Sequence, residues 1–329
     1  MGFHRTVIGF MPMVAAAMLI SAGSVAPSVA NAETLKDVVQ KAISAHPRVL
    51  NAQANRNALQ GAADAQFGNL LPVVEFNGRT GYEKTQNSSS ANPILDAWVG
   101  DVQVTGTQLL YDGFETFRRT DAAELEAKAA GKTLGAASRD IAIRAIEDYL
   151  VVMREREVVA LAKDNVAIHR KTANDVRLLS DQGRGNKGDV YQAKSRLALA
   201  RTRLNELTVG LRNAEASYKE AVGEMPGSLE APKLASDLVP PTVEAAVESA
   251  LANDPQYLAA GTISKARGQE LKAAKGALYH PTVNLETQYT KEKDFGGRRE
   301  LRGDGTVLLT LNYNLYRGGS DKARQREAA

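Results

Sequence analysis

Two stretches interrupt an apolar helix in the same way: AISAHPRVLNA at 42–52 and ALANDPQYLAA at 250–260. The likeness runs on around both prolines. TLKDVVQKAISAHPRVLNAQANRNALQGAADAQFGNLLPVVEFNGRTGYEKT, followed later by TGTQLLYDGFETFRR, returns as PPTVEAAVESALANDPQYLAAGTISKARGQELKAAKGALYHPTVNLETQYTKEK, followed by LTLNYNLYRGGSDKAR. Pro47 matches Pro255, Pro72 matches Pro281, Tyr111 matches Tyr316 and Gly113 matches Gly318. One structural unit is therefore present twice, and any fold for this chain must place two copies of it.

Each copy has the same order of elements. An apolar helix ends at the first proline, where His46 or Asp254 is suited to cap a new helix with proline at its first position, whose missing N–H has no helical partner to lose. The interruption is thus a joint between two helices. The second helix stops before Pro72 or Pro281, and an alternation with a period of two follows. In the second copy Val283, Leu285, Thr287 and Tyr289 point one way while Asn284, Glu286, Gln288 and Thr290 point the other. Its partner strand sets Val307, Leu309, Leu311, Tyr313 and Leu315 against Thr310, Asn312 and Asn314. The first copy sets Val74, Phe76 and Tyr82 against Glu75, Asn77 and Arg79, with a less regular second strand over 101–111. TQNSSSANP and KDFGGRRELRGDG read as long polar loops between paired strands.

Four strands of about 11 residues, at about 3.3 Å per residue, can cross an apolar band of about 25 Å even when tilted. Twelve of the 18 aromatic residues fall between Phe67 and Phe117 or between Tyr279 and Tyr316, where an interfacial girdle needs them. A soluble antiparallel sheet with one wet face has the same alternation, so the strands alone leave both readings open.

Between the two copies, 114–180 contains no proline and few glycines, which predicts a helical rod of about 100 Å at about 1.5 Å per residue. DQGRGNKGD breaks it, and a second helix is expected over 189–222. There Val190, Ala193, Leu197, Ala200, Leu204, Leu207, Leu211, Ala214, Tyr218 and Ala221 are spaced alternately three and four apart, a coiled-coil seam. The ascending helix offers Val158, Leu161, Ile168 and Leu179, with Asn165 and Thr172 set into the stripe. An antiparallel pair meeting at the glycine turn follows. Such a pair buries one stripe per helix and leaves Val151, Val159 and Leu199 wet, so more helices must cover them. Four strands cannot close into a membrane barrel, and lipid tolerates no open sheet edge. Both considerations require partner subunits.

Composition narrows the function. His4 and Arg5 precede an apolar run over 7–22, and Ala30-Asn31-Ala32 gives a small-x-small cleavage site before Glu33, so export is expected. Without that segment the formal charge falls from +3 to +2, which offers no electrostatic case for nucleic acid. Without cysteine there are no disulfides, no thiolate metal site and no lipid-modified cysteine after the signal. After Glu33 no run of about 18 consecutive apolar residues occurs, so entry into a membrane must be as strands. His46, His169 and His280 lie far apart, with no carboxylate pair at metal-ligand spacing. GRGNKGD lacks the Gly-Lys-Ser/Thr ending of a phosphate loop, and no Gly-x-Ser-x-Gly turn is present to hold a nucleophile. No metal, cofactor or enzymatic activity is expected.

The residues resemble the TolC-type outer-membrane channel family. The likeness rests on the duplicated helix-strand-strand-helix unit, the HP and DP joints, LLYDG and NLYRG after the strands, and Gly183 followed six residues later by Asp-Val in GDVYQA. The resemblance implies a mainly α fold with membrane β-hairpins: long coiled-coil hairpins plus four strands contributed to a trimeric 12-stranded β-barrel. It implies a signal peptide at 1–32, helices at 33–70, a first β-hairpin at 71–112 and a long periplasmic hairpin at 113–223 with its tip turn at 181–189. A linker at 224–241, helices at 242–279, a second β-hairpin at 280–316 and the start of a second long helix at 317–329 complete the division.

The implied function is a passive exit duct in the bacterial outer membrane, for type I protein secretion or efflux, with its helices in the periplasm. A homotrimer would draw energy from an inner-membrane transporter through a periplasmic adaptor protein. Gly183, Arg184, Gly185, Gly188, Asp189 and Val190 match the family's tip pattern and become candidate adaptor contacts. Glycine's freedom at positive φ and an N-cap role for Asp189 account for the same residues structurally. If the apolar faces meet outer-membrane lipid, Val74, Phe76, Val283, Leu285, Leu309 and Leu311 touch it. Glu75, Asn77, Arg79, Asn284, Glu286 and Gln288 then line the barrel lumen, and their mixed charge suits a wet passage rather than a tight ion filter. The alternative is a periplasmic coiled-coil scaffold or adhesin whose strands serve only as a headpiece.

In the first copy the post-strand helices occupy 114–222, whereas the second copy stops 13 residues after Tyr316. The second long hairpin, which in the family supplies acidic residues of the closed aperture, is therefore expected to be missing. Residues 33–329 alone should not make a sealed conduit, and trimers of that segment with normal channel conductance in planar bilayers would contradict this.

Overall fold

A computed structural model describes residues 32–86, 94–233, 240–294 and 300–327. The leader before Ala32, the centres of both polar loops and the 234–239 part of the linker lie outside them. In chain order the elements are α1 (Leu35–Ala45), α2 (Pro47–Gly68), β1 (Val73–Gln86), β2 (Ile94–Tyr111), α3 (Glu115–Asp181) and α4 (Lys187–Val222). They continue with α5 (Val243–Asn253), α6 (Pro255–Tyr279), β3 (Thr282–Lys293), β4 (Leu301–Asn312) and α7 (Ser320–Glu327).

Both proline joints are built alike. The Nδ1 of His46 accepts from the backbone N–H of Arg48 (3.1 Å) and Oδ1 of Asp254 from that of Tyr257 (2.8 Å), with Pro47 and Pro255 opening the new helices. The same two residues close the preceding helices, donating their N–H groups to the carbonyls of Ala42 and Ala250. Adjacent residues on α3 then tie down both joints: Arg48 pairs with Asp140 (3.4 Å), and Arg139 pairs with Asp254. The Tyr257 N–H, and after it Arg139, hold the Asp254 carboxyl below the usual carboxylate range.

The 67-residue α3 is the spine. Its first half packs against α2 and α6 through small buried residues, among them Thr120, Ala122, Ala129, Ala130 and Ala136, and α6 answers with Ala259, Thr262, Ala266 and Ala273. Small side chains on both sides let the helix axes approach closely. Further along, α1 and α4 close on α3 around a core of Val38, Ala42, Val49, Ile141, Ala145, Tyr149, Val152, Ala214, Tyr218, Ala221 and Val222. The Tyr149 hydroxyl reaches the carbonyl oxygens of Glu33 (3.0 Å) and Glu230 (2.5 Å), and Glu33 bridges in parallel to Leu229. Lys41 joins this knot by pairing with Glu33 and Glu224, each at 2.6 Å. Burial, and then the charge of Glu33, pushes the Tyr218 hydroxyl far above its usual value.

The hairpin of α3 and α4 uses the expected seam on α4, every residue of which is partly or fully buried. On α3 the expected stripe is corrected. Leu161 and Ile168 are 63% and 65% exposed and Leu179 is also open, whereas Val152, Val159, Val166 and Ala173, seven residues apart, are buried. Val159, expected wet, is in the seam; Leu199 is exposed as expected. A one-residue shift rotates a helix face by about 100°, and here the smaller heptad-spaced valines, not the leucines, face α4.

The four strands form one antiparallel sheet in the order β1-β2-β3-β4. Tyr313 and Leu315, expected in the last strand, lie beyond it. β4 ends at Asn312 because its partner there is Thr282, and Pro281 before it has no N–H to give. Tyr149→Ala should cost about 3–5 kcal/mol, the range for emptying an aromatic-sized core site, and Tyr149→Phe about 1–3 kcal/mol for the Glu230 carbonyl left without its donor, since the Glu33 carbonyl keeps the Glu230 N–H. Urea unfolding followed by helical circular dichroism measures both.

Candidate functional site

The strand register creates two faces. Val74 lies opposite Gly106 and Phe76 opposite Val104; Val104 then lies opposite Tyr289, Leu285 opposite Leu309 and Val283 opposite Leu311. Directly opposed residues in antiparallel strands share a face, so Val74, Phe76, Val283, Leu285, Leu309 and Leu311 are brought together on one side. Glu75, Asn77, Arg79, Asn284, Glu286 and Gln288 are brought together on the other, linked by Thr105, which opposes both Glu75 and Gln288. The apolar side is bare. Val74, Phe76, Trp98 and Val307 are each 71% exposed, and no described part of the chain covers them. Left in water, each such side chain forgoes about 1.5–3 kcal/mol of burial, so a cover of lipid or protein is required.

That apolar face has defined ends. Away from the helices, Lys84 opposes Asp96, and Lys291 and Lys293 follow Tyr289 along β3. Just inside this limit the rings of Tyr82 and Trp98 meet edge to face, 6.0 Å between centroids, and the Tyr82 hydroxyl bonds Asp96. At the helix end Phe67, Phe114, Phe117, Tyr279, Tyr313 and Tyr316 are exposed. From Val74 to Tyr82 the strand runs about 26 Å at about 3.3 Å per residue, which at a barrel tilt of about 40° gives about 20 Å of height and, with the aromatic rings at both ends, approaches an outer-membrane apolar band of about 25 Å. Gln108 sits on the apolar side at the helix end, satisfied by the carbonyls of Leu70 and Leu109. Here the chain turns into α3 through Gly113 at φ 71°, where a Cβ would lie 2.6 Å from that of His280.

On the wet face a row of charge crosses all four strands: Arg79 opposes Asp101, Asp101 opposes Glu292, and Glu292 opposes Arg302. The Asp101 carboxylate, 4% exposed, accepts from Arg79 Nε (3.0 Å) and Nη2 (3.1 Å). With Glu75, Glu83, Glu286 and Asp304 the described wet face carries six carboxylates against two guanidinium groups, so it is acidic rather than evenly mixed. Sequence reading misses Asp101, Glu292, Arg302 and Asp304. Gly100 and Gly106 blur the alternation of β2, and Leu308 interrupts the polar side of β4; cross-strand opposition to Arg79 is the signal that would have found Asp101.

At the far end of the hairpin, α3 closes in a Schellman turn. Gly183 takes φ 73° and donates to the Ser180 carbonyl, and Arg184 donates to that of Leu179. Gly185 passes so close that a Cβ would meet the Ser180 nitrogen at 3.0 Å. The expected N-cap is corrected: Asn186, not Asp189, caps α4 by accepting from Gly188 (2.9 Å), and Asp189 lies inside the first turn, where its charge favours the helix dipole. Gly183, Arg184, Gly185, Gly188 and Asp189 are exposed, while Val190 turns partly into the seam. A groove of about 510 Å³ beside them runs between the helices and is lined by Ile168, Thr172, Leu179, Arg184, Asp189 and Arg196 among others.

Residues 38–224, more than half of the chain, match the family described as outer membrane efflux protein. The chain belongs to this family. It is 29% identical over 321 residues to the outer membrane efflux protein BepC of Brucella suis, covering 96% of this chain and 68% of that protein. The solved outer membrane protein VceC of Vibrio cholerae has the same fold, with TM-score 0.71, 20% identity, and 89% of this chain covered against 73% of that one. The outer membrane channel CmeC of Campylobacter jejuni gives TM-score 0.73 at 14% identity, with coverage of 89% and 64%. As an outer membrane efflux protein, the chain resides in the outer membrane, and its mainly helical architecture with four antiparallel strands is the fold of these channels.

In this efflux protein the tip geometry gives a direct expectation. Gly183→Val forces a β-branched residue into the left-handed region at a cost of about 1–2 kcal/mol, and Asn186→Ala removes a cap worth about 1 kcal/mol. Amide exchange should quicken over 183–190 in both variants, while the urea midpoint of the Tyr149 core stays unchanged.

Proposed function

We propose that three copies of this chain build the outer-membrane barrel of an exit duct, each giving its four strands to a closed 12-stranded wall, with the helical part left unsealed by residues 33–329 alone. The apolar face meets lipid and the acidic face lines water. The helices run into the periplasm, where Gly183, Arg184, Gly185, Gly188, Asp189 and Val190 contact an adaptor protein, and an inner-membrane transporter supplies the energy. The carrying observation is the sheet itself: one bare apolar face edged by aromatic rings, one polar face, and two outer strands. The exposed Leu161, Ile168, Tyr191 and Leu199 support the same assembly, since helices of neighbouring copies can cover them. Relatives named for efflux favour efflux over protein secretion as the service performed. The coiled-coil scaffold reading leaves the bare face of the sheet without a cover.

Because the chain contains no cysteine, single cysteines report cleanly. In intact cells, a water-soluble maleimide should label Asn284→Cys and Gln288→Cys but spare Phe76→Cys and Leu309→Cys, and the protein should run as heat-modifiable trimers. Equal labelling of both faces, or soluble monomers in the periplasm, would return the protein to the scaffold reading.

A further inference from the structure

Within the described chain, β1 and β4 are the outer strands, and each has a sheet neighbour on one side only. We propose that β4 pairs antiparallel with β1 of the next copy in the register that β2 and β3 keep inside the chain; this rests on the trimeric duct proposed above. The duplication supplies that register. Aligning Pro72 with Pro281 and Tyr111 with Tyr316 makes Val73 the counterpart of Thr282 and Thr107 the counterpart of Asn312. Val73 opposes Thr107, and Thr282 opposes Asn312. The two hairpins therefore share one register, although the alignment used only landmarks outside the pairs themselves.

The β2–β3 contact is where the second strand of one unit meets the first strand of the next. Its pairs Gln103 with Thr290, Thr105 with Gln288 and Thr107 with Glu286 carry over as Leu308 with the partner subunit's Gly81, Thr310 with the partner's Arg79, and Asn312 with the partner's Asn77. Two features agree with this placement. Wet side chains meet wet ones, and Val307 and Leu309 come opposite the partner's Tyr82 and the partner's Thr80 on the lipid side; a slip of one residue would invert both faces. Leu308, the bulky intruder on the wet face, meets a glycine whose Cβ position is empty.

Paired cysteines in the full chain test the register. Directly opposed positions hold their Cβ atoms about 4.5–5.5 Å apart and diagonal ones about 7–8 Å, while a disulfide needs about 3.5–4.5 Å. Oxidation in outer-membrane vesicles should therefore convert Asn77→Cys/Asn312→Cys into covalent dimers and trimers roughly tenfold more than Glu75→Cys/Asn312→Cys or Arg79→Cys/Asn312→Cys. The pair Gly81→Cys/Leu308→Cys should behave like the first and carries the test if the asparagine pair fails to assemble. Heat-modifiable trimers that cross-link best at a displaced pair, or at none, overturn the register and leave the duct standing. Absence of any oligomer from the unaltered chain overturns the duct, and the register with it.

Discussion

A backbone N–H or C=O that faces hydrocarbon without a partner costs several kcal/mol, and this governs everything else in the molecule. A sheet with one apolar face can enter lipid only if its edges are satisfied. The sheet of this protein has the required apolar face, bracketed by Tyr82 and Trp98 at one end and by Phe114 and Tyr279 at the other, yet it is four strands wide with β1 and β4 outermost. Four strands cannot curl into a barrel by themselves. In the trimer proposed above other copies complete the sheet, and the exposed apolar residues of the helices call for the same cover in the periplasmic section.

The duplicated unit provides a rigid way to present such a part. α3 touches α2 of its own unit and α6 of the next, and the two proline joints are held at Asp140 and Arg139, neighbours on one turn of α3. One helix thereby sets the spacing of both units. Its two halves use different chemistry for this. Alanines near the strands bring three helices close together, whereas the heptad-spaced Val159 and Val166 hold a single partner, α4. Between the halves, Tyr149 fastens the start of the described chain at Glu33 to the segment after α4 at Glu230, so the two-unit body is tied at its middle.

Much of this was legible in the sequence because the duplication tests each reading twice. His46 and Asp254 were readable as caps since each precedes a proline at the same place, and the alternation around Val283 made that around Val74 credible. Misreadings occurred where a single local pattern had no second copy to check it. Leu161 and Ile168 outweigh Val159 and Val166 on any hydrophobicity scale, but helix packing selects by angle, and a one-residue error turns the face by about 100°. Asp189 and Asn186 are both good caps, and only the backbone of Gly183 decides where α3 ends and hence which of them begins α4. Asp101 is invisible in a strand punctuated by glycines, because its meaning lies in Arg79 across the sheet.

Strand order and helix order are the same order, and this couples the two halves of the molecule. Along the chain β1, β2 and β3 are neighbours in the sheet, and α2, α3 and α6, which lead into or out of them, are neighbours in the helical layer, with α3 in the middle of both runs. Gly113 and His280 mark the crossing point, where the turn after β2 lies against the end of α6 with no room for a side chain. A displacement of one strand against its neighbour would have to move the attached helix along α3 by a comparable distance. The alanine-lined contacts of α3 resist that, because close packing of small residues has few alternative registers. In the proposed trimer, closure of the sheet therefore cannot be adjusted independently of the periplasmic helices: the register at the membrane and the spacing of the helical layer are one geometric quantity.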